Sequence, residues 1–139
     1  MYVRPDYTTA RRKAGFGWWV SAGQGALREV TGTPIREFNL DPDVCIETYR
    51  KGRPLLRELF GPDVGIGGPA TPAVSYGHVN VLGSELLFPE GGEVAHTHPY
   101  ASLEEGLRRL REPVRYAEAG WVPFFVKFRE RMREAFPGE

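Results

Sequence analysis

The densest run of groups able to do chemistry is Ser75-Tyr76-Gly77-His78-Val79-Asn80. Imidazole is the side-chain group suited to giving or taking a proton at physiological pH, which makes His78 a candidate catalytic residue. Tyr76 joins it as a candidate catalytic residue, and Ser75 and Asn80 as candidate substrate-binding residues. Ser75 also precedes a short helical segment, where its hydroxyl competes as an N-cap. His96 and His98 stand two apart and would share one face of a strand. A metal needs at least one more ligand, which the sequence does not supply, so an exposed hairpin edge is the better reading. Gly65-Ile66-Gly67-Gly68 is only loosely a phosphate loop, lacking the third spaced glycine and the lysine. Cys45 falls on the apolar face of a helix and reads as core.

These groups need elements to hold them. Phe16-Gly17-Trp18-Trp19-Val20 predicts a first strand, since aromatic and β-branched residues suit a pleated surface. A short helix follows around residues 26–30, stopped by Gly32 and Pro34. Asp41-Pro42 provides an N-cap and a first-turn proline for a long helix whose apolar stripe runs from Val44 to Phe60. Gly52 and Pro54 predict a kink in it, or two abutting helices. Residues 63–69 read as a second short strand leaving into a glycine loop. Residues 85–88 and 93–98 read as a hairpin. Ser102-Leu103-Glu104-Glu105 is a capping box that starts another helix. The last helix is predicted over 114–136, with Trp121, Phe124, Phe125, Phe128, Met132 and Phe136 as its apolar stripe. Residues 1–15, with Arg11-Arg12-Lys13, read as a polar lead-in.

The chain has 139 residues, 18 Lys+Arg against 18 Asp+Glu, and 17 glycines with 12 prolines. Balanced charge argues against nucleic acid and an anionic membrane surface as partners. No apolar run approaches the roughly 20 residues of a membrane span. One cysteine cannot form an internal disulfide, which points to the cytoplasm. Strand–helix–strand order implies α/β architecture with a parallel sheet, normally covered on both faces. Two parallel strands cannot bury the aromatic stripe of the last helix, so the expectation is a fragment.

The order of several motifs carries a resemblance. Leu55-Leu56-Arg57-Glu58-Leu59-Phe60-Gly61-Pro62-Asp63 is followed by Ser75-Tyr76-Gly77-His78, then by Leu82-Gly83-Ser84-Glu85-Leu86-Leu87-Phe88-Pro89-Glu90. Ser102-Leu103-Glu104-Glu105 and Ala119-Gly120-Trp121-Val122-Pro123-Phe124 come after. The series resembles the N-terminal part of the uroporphyrinogen decarboxylase-like family, which also contains methyltransferases serving corrinoid proteins and thiols. The resemblance implies that residues 16–139 are the N-terminal portion of an incomplete (β/α)8 barrel: N-terminal helices, two or three β/α units and a hairpin. Active sites of such barrels lie at the carboxyl ends of the strands. That adds Ser21 and Gln24, after the first strand, as substrate-binding residues, and brings Gly67 to His78 to the same end. The implied reaction is decarboxylation of a tetrapyrrole carboxylate. The arginines that hold substrate carboxylates in the decarboxylases have no counterpart in Ser21-Ala22-Gly23-Gln24-Gly25, which tilts the chemistry toward zinc-assisted methyl transfer with a corrinoid protein. No zinc motif occurs in this chain, so no cofactor is expected within it, and zinc would belong to a C-terminal half. The resemblance leaves room for a homodimer; the chain acting alone as a non-catalytic partner-binding module is the expectation from another class.

Overall fold

The computed structural model describes residues 3, 5–73 and 76–139. Asp6 caps the first helix, α1 (Tyr7–Lys13), by accepting from the Thr9 amide at 2.9 Å. The segment read as a polar lead-in is therefore partly helical, and it is pinned down. Thr8 donates to the Asp63 carboxylate at 2.8 Å, and Arg11 reaches the same carboxylate at 3.4 Å. Arg11 also lies over the Trp18 ring, which meets Tyr7 edge-on.

The first strand, β1, is Ser21–Ala22, and it pairs in parallel with β2, Gly65–Ile66, in the register Ser21 with Gly65 and Ala22 with Ile66. The predicted strand at 16–20 lies one segment too early. Phe16 and Trp19 are exposed there, Trp19 at 81%. Between the strands run α2 (Gln24–Thr31), α3 (Ile35–Leu40) and α4 (Pro42–Phe60). Gly32 closes α2 in the left-handed region, at φ 67°, where glycine avoids the Cβ clash. Asp41 caps α4 through the amides of Asp43 and Val44.

The expected break at Gly52 and Pro54 does not occur; α4 is one continuous helix. Pro54 forfeits one backbone bond, but tertiary packing against α2, α3 and α7 (Val122–Ala135) outweighs it. Gly52 has a different purpose. A Cβ built there would come within 2.8 Å of Leu27 Cδ2, so its bare backbone lets α2 and α4 touch. A hydroxyl chain binds the same two helices, from Thr31 to Thr33 at 2.8 Å and from Thr33 to Thr48 at 2.9 Å. At the far end, Arg57 donates to the carbonyls of Gly61 and Val64, fixing the turn from α4 into β2.

The core gathers Leu27, Phe38, Cys45, Ile46, Tyr49, Leu56, Val64, Phe128 and Met132. The last helix begins at Val122, because residues 116–118 form a 3₁₀ turn first. Its stripe is covered after all: Phe125, Phe128 and Met132 are buried. The reason is α4, whose second face supplies the surface that a two-stranded sheet could not.

The second region starts with α5 (Gly77–Val81), followed by β3 (Leu86–Leu87) and β4 (Ala95–His96), an antiparallel pair as expected. Ser102 caps α6 (Leu103–Leu110), accepting from the Glu105 amide at 3.2 Å. Glu105 reaches back to the Ala101 amide at 3.0 Å, one residue beyond the serine. No residue of α6 is buried. The architecture is mixed α/β with few strands, and among the described residues no closed barrel forms. No helix there is long and apolar enough to cross a membrane.

Candidate functional site

Because β1 and β2 run parallel, the loops leaving their carboxyl ends emerge on the same side. Gly23 and Gln24 follow β1, and Gly67 to Thr71 follow β2. Gln24 opens α2 and donates from Nε2 to the Tyr49 hydroxyl at 3.1 Å. Tyr49 is buried on α4. Its phenol titrates above the ordinary range because burial disfavours the phenolate; the Gln24 amide and the Ala70 backbone pull weakly the other way. Cys45, one turn earlier, is likewise buried, and burial alone pushes its thiol up to about 12.

Beside Gln24 opens a cleft of about 260 Å³, lined by Gln24, Gly25, Arg28, Phe38, Tyr76 and Glu93, among others. Arg28 lies one turn beyond Gln24, on the same face of α2. Its Nε is buried with no hydrogen-bond partner among the described residues. A buried guanidinium nitrogen without an acceptor is costly, and the same Arg28 side chain lines the cleft wall. Glu93, on the approach to β4, brings a carboxylate to the same rim. A larger trough, about 610 Å³, lies between the loop after β2 and α7, with Ala70, Gly77, Phe125, Met132 and Arg129 among its walls. It is bigger and more apolar, but polar groups converge in the small cleft, and chemistry needs convergence more than volume.

Of the residues singled out from sequence, Gln24 and Tyr76 meet in this cleft. Tyr76 also stacks near His96, ring centroids 5.9 Å apart, and His96 meets His98 at 5.2 Å. Among the described residues no third ligand joins that histidine pair. His78 sits exposed on α5, outside the cleft wall. Ser21 is exposed on β1. Asn80 has both ends of its amide engaged: Oδ1 accepts from the Trp121 amide at 2.7 Å, and Nδ2 donates to the Ser84 carbonyl at 2.8 Å. Ser75 lies outside the described residues.

Sequence reasoning missed Arg28 and Glu93. The loop 21–25 holds no cation, whereas a helix that starts at Gln24 carries residue 28 back over the same face. That signal was available. Glu93 had none, since it arrives through a hairpin turn far along the chain. Comparison with known proteins finds no matching family model, no matching curated protein and no matching solved structure.

Proposed function

We propose that this chain is the opening portion of a uroporphyrinogen decarboxylase-like (β/α)8 barrel enzyme, and that the cleft beside Gln24 receives a carboxylate of a small-molecule substrate. The observation that carries the reading is Arg28, whose Nε has no partner among the described residues and which lines one cleft with Gln24 and Tyr76, one helical turn beyond the carboxyl end of β1. Substrates of parallel α/β enzymes bind at that end. Arg28 supplies charge-assisted hydrogen bonds to a carboxylate. Gln24 spends one Nε2 hydrogen on the Tyr49 hydroxyl and has a second to donate to the carboxylate, and Tyr76 provides a flat wall. The motif order implies a tetrapyrrole carboxylate as substrate. Its decarboxylation breaks a carbon–carbon bond, releases carbon dioxide and places a proton on the carbon left behind. In this reading that proton comes from water at the open side of the cleft, in a cytoplasmic enzyme.

Binding of uroporphyrin, a stable oxidised stand-in, tests the reading through its visible absorbance. The chain should bind it, and Arg28→Gln should weaken binding by about tenfold or more, since hydrogen bonds to charged groups contribute about 1.5–3 kcal/mol. No binding, or equal binding by the variant, overturns the reading.

The neutral loop Ser21 to Gly25 favours a second reading, methyl transfer with a corrinoid protein. Zinc does not fit the described residues: Cys45 is buried with a thiol pushed up to about 12, and no His-x-Cys occurs. The ligands would have to come from elsewhere, and no step is routed through the metal. Binding of methylcobalamin that ignores Arg28→Gln would favour this alternative.

A further inference from the structure

The helix with the least to hold it is α6. Leu103, Leu107 and Leu110 are 74%, 46% and 59% exposed and recur at helical spacing, forming a continuous apolar seam. Val114 and Tyr116, just beyond the helix, are also exposed. The charges of α6 divide cleanly. Glu105 is occupied by the Ala101 amide, and Arg109 pairs with Glu112. Both lie toward the side where Gly106 packs near Tyr100, whose hydroxyl donates to the Leu82 carbonyl. Glu104, Arg108 and Arg111 are exposed and make no ion pair among the described residues. Glu104 and Arg111 are seven residues apart, so they border the seam on one flank, two turns from each other. The flank is acidic at its amino end and basic at its carboxyl end.

We infer that α6 is a self-association surface, and that its partner is α6 of a second copy of this chain, packed antiparallel about a two-fold axis near Leu107. Two helices in that arrangement bring the same flanks together. Leu103 of one protomer meets Leu110 of the other, and Leu107 meets its own mate. Glu104 of each copy then faces Arg111 of the other, with Arg108 within reach, so the interface carries two equivalent ion pairs. A parallel pair would set this flank against Gly106, which has no charge to offer. The pattern therefore fixes both the partner and its direction, and it is isologous, as two-fold interfaces are. The seam is one short helix, three leucines long, so a weak, concentration-dependent dimer is expected. This inference is independent of the substrate reading.

Sedimentation equilibrium of the whole chain, from about 10 µM to about 1 mM, tests it. The mass should rise from monomer toward dimer over that range. Glu104→Arg alone and Arg111→Glu alone should each raise the dissociation constant several-fold. An equimolar mixture of those two variants should associate more tightly than either alone, because every flanking contact then joins opposite charges. The double exchange, Glu104→Arg with Arg111→Glu, should restore wild-type association. Leu107→Glu should leave a monomer with a melting temperature little changed, since no residue of α6 is fully buried in its own protomer; should that variant misfold, the charge variants decide alone. A monomer at every concentration, or a dimer indifferent to the charge exchanges, overturns the inference.

Discussion

Two regions of this molecule reach order by different means. The body of α2, α3, α4 and α7 around the parallel pair buries Leu27, Phe38, Tyr49, Leu56 and Phe128 almost completely. The outer region, from β3 through α6, buries less: Leu86 is its buried apolar side chain, Phe88 meets Trp121, Ser102 and Glu105 secure the start of α6, and no residue of that helix is fully buried. The candidate cleft draws from both, taking Gln24, Arg28 and Phe38 from the body and Glu93 from the outer region. Apolar burial fixes the wall that must be rigid, while the rim rests on weaker local contacts. Local stability should accordingly differ between the two.

The sharpest way to break this contrast is to remove core. Leu56→Ala should cost about 2–5 kcal/mol and lower Tm strongly in thermal unfolding, because nothing nearby can collapse into the gap. Alkaline pH acts on the same body. Cys45 and Tyr49 both titrate higher folded than unfolded, so the folded state keeps protons that the unfolded state gives up. Their contribution is complete below the unfolded thiol's ordinary value of 9.0 and fades as pH rises toward about 12. Denaturant midpoints should fall through that window, and Cys45→Ala should flatten its lower part. Gly52→Ala should cost about 1–3 kcal/mol, since the new methyl meets Leu27 and Thr31 in a filled contact. On the other side of the contrast, Ser102→Ala should cost about 1 kcal/mol or less. Its effect should show in hydrogen exchange of the α6 amides and leave the α4 amides untouched. Equal loss of protection in both helices would mean that the regions are not separate.

Legibility from sequence follows the same division. The capped, periodic helices were readable: Asp41 and Ser102 cap where expected, and Ile46, Tyr49 and Leu56 of the α4 stripe are core, while Leu55 and Leu59 of the same stripe are exposed. The hairpin was readable from Pro89-Glu90-Gly91-Gly92. What failed were positions where a distant partner overrides a local signal. Gly52 and Pro54 carry a helix-breaking signature, yet α2 and α7 lie against that helix and keep it whole. Trp18 and Trp19 have strand propensity, but hydrogen bonding begins only at the Val20 carbonyl, which accepts from the Gly65 amide at 2.9 Å. At the site, Gln24 and Tyr76 were legible as neighbours of strand ends, and Arg28 could have been reached by continuing one helical turn. Asn80 shows the opposite error: a polar residue in a polar cluster whose amide is consumed in joining Ser84 to Trp121.

The missing side chain at position 52 reaches further than its own contact. Leu27, the residue it admits, sits on α2 between Gln24 and Arg28. Any atom added at 52 would act as a wedge, lifting the helix that carries both of those polar groups and resetting the aperture they frame. The gauge of the cleft is thus set where α2 lies against α4, by the bare backbone at Gly52.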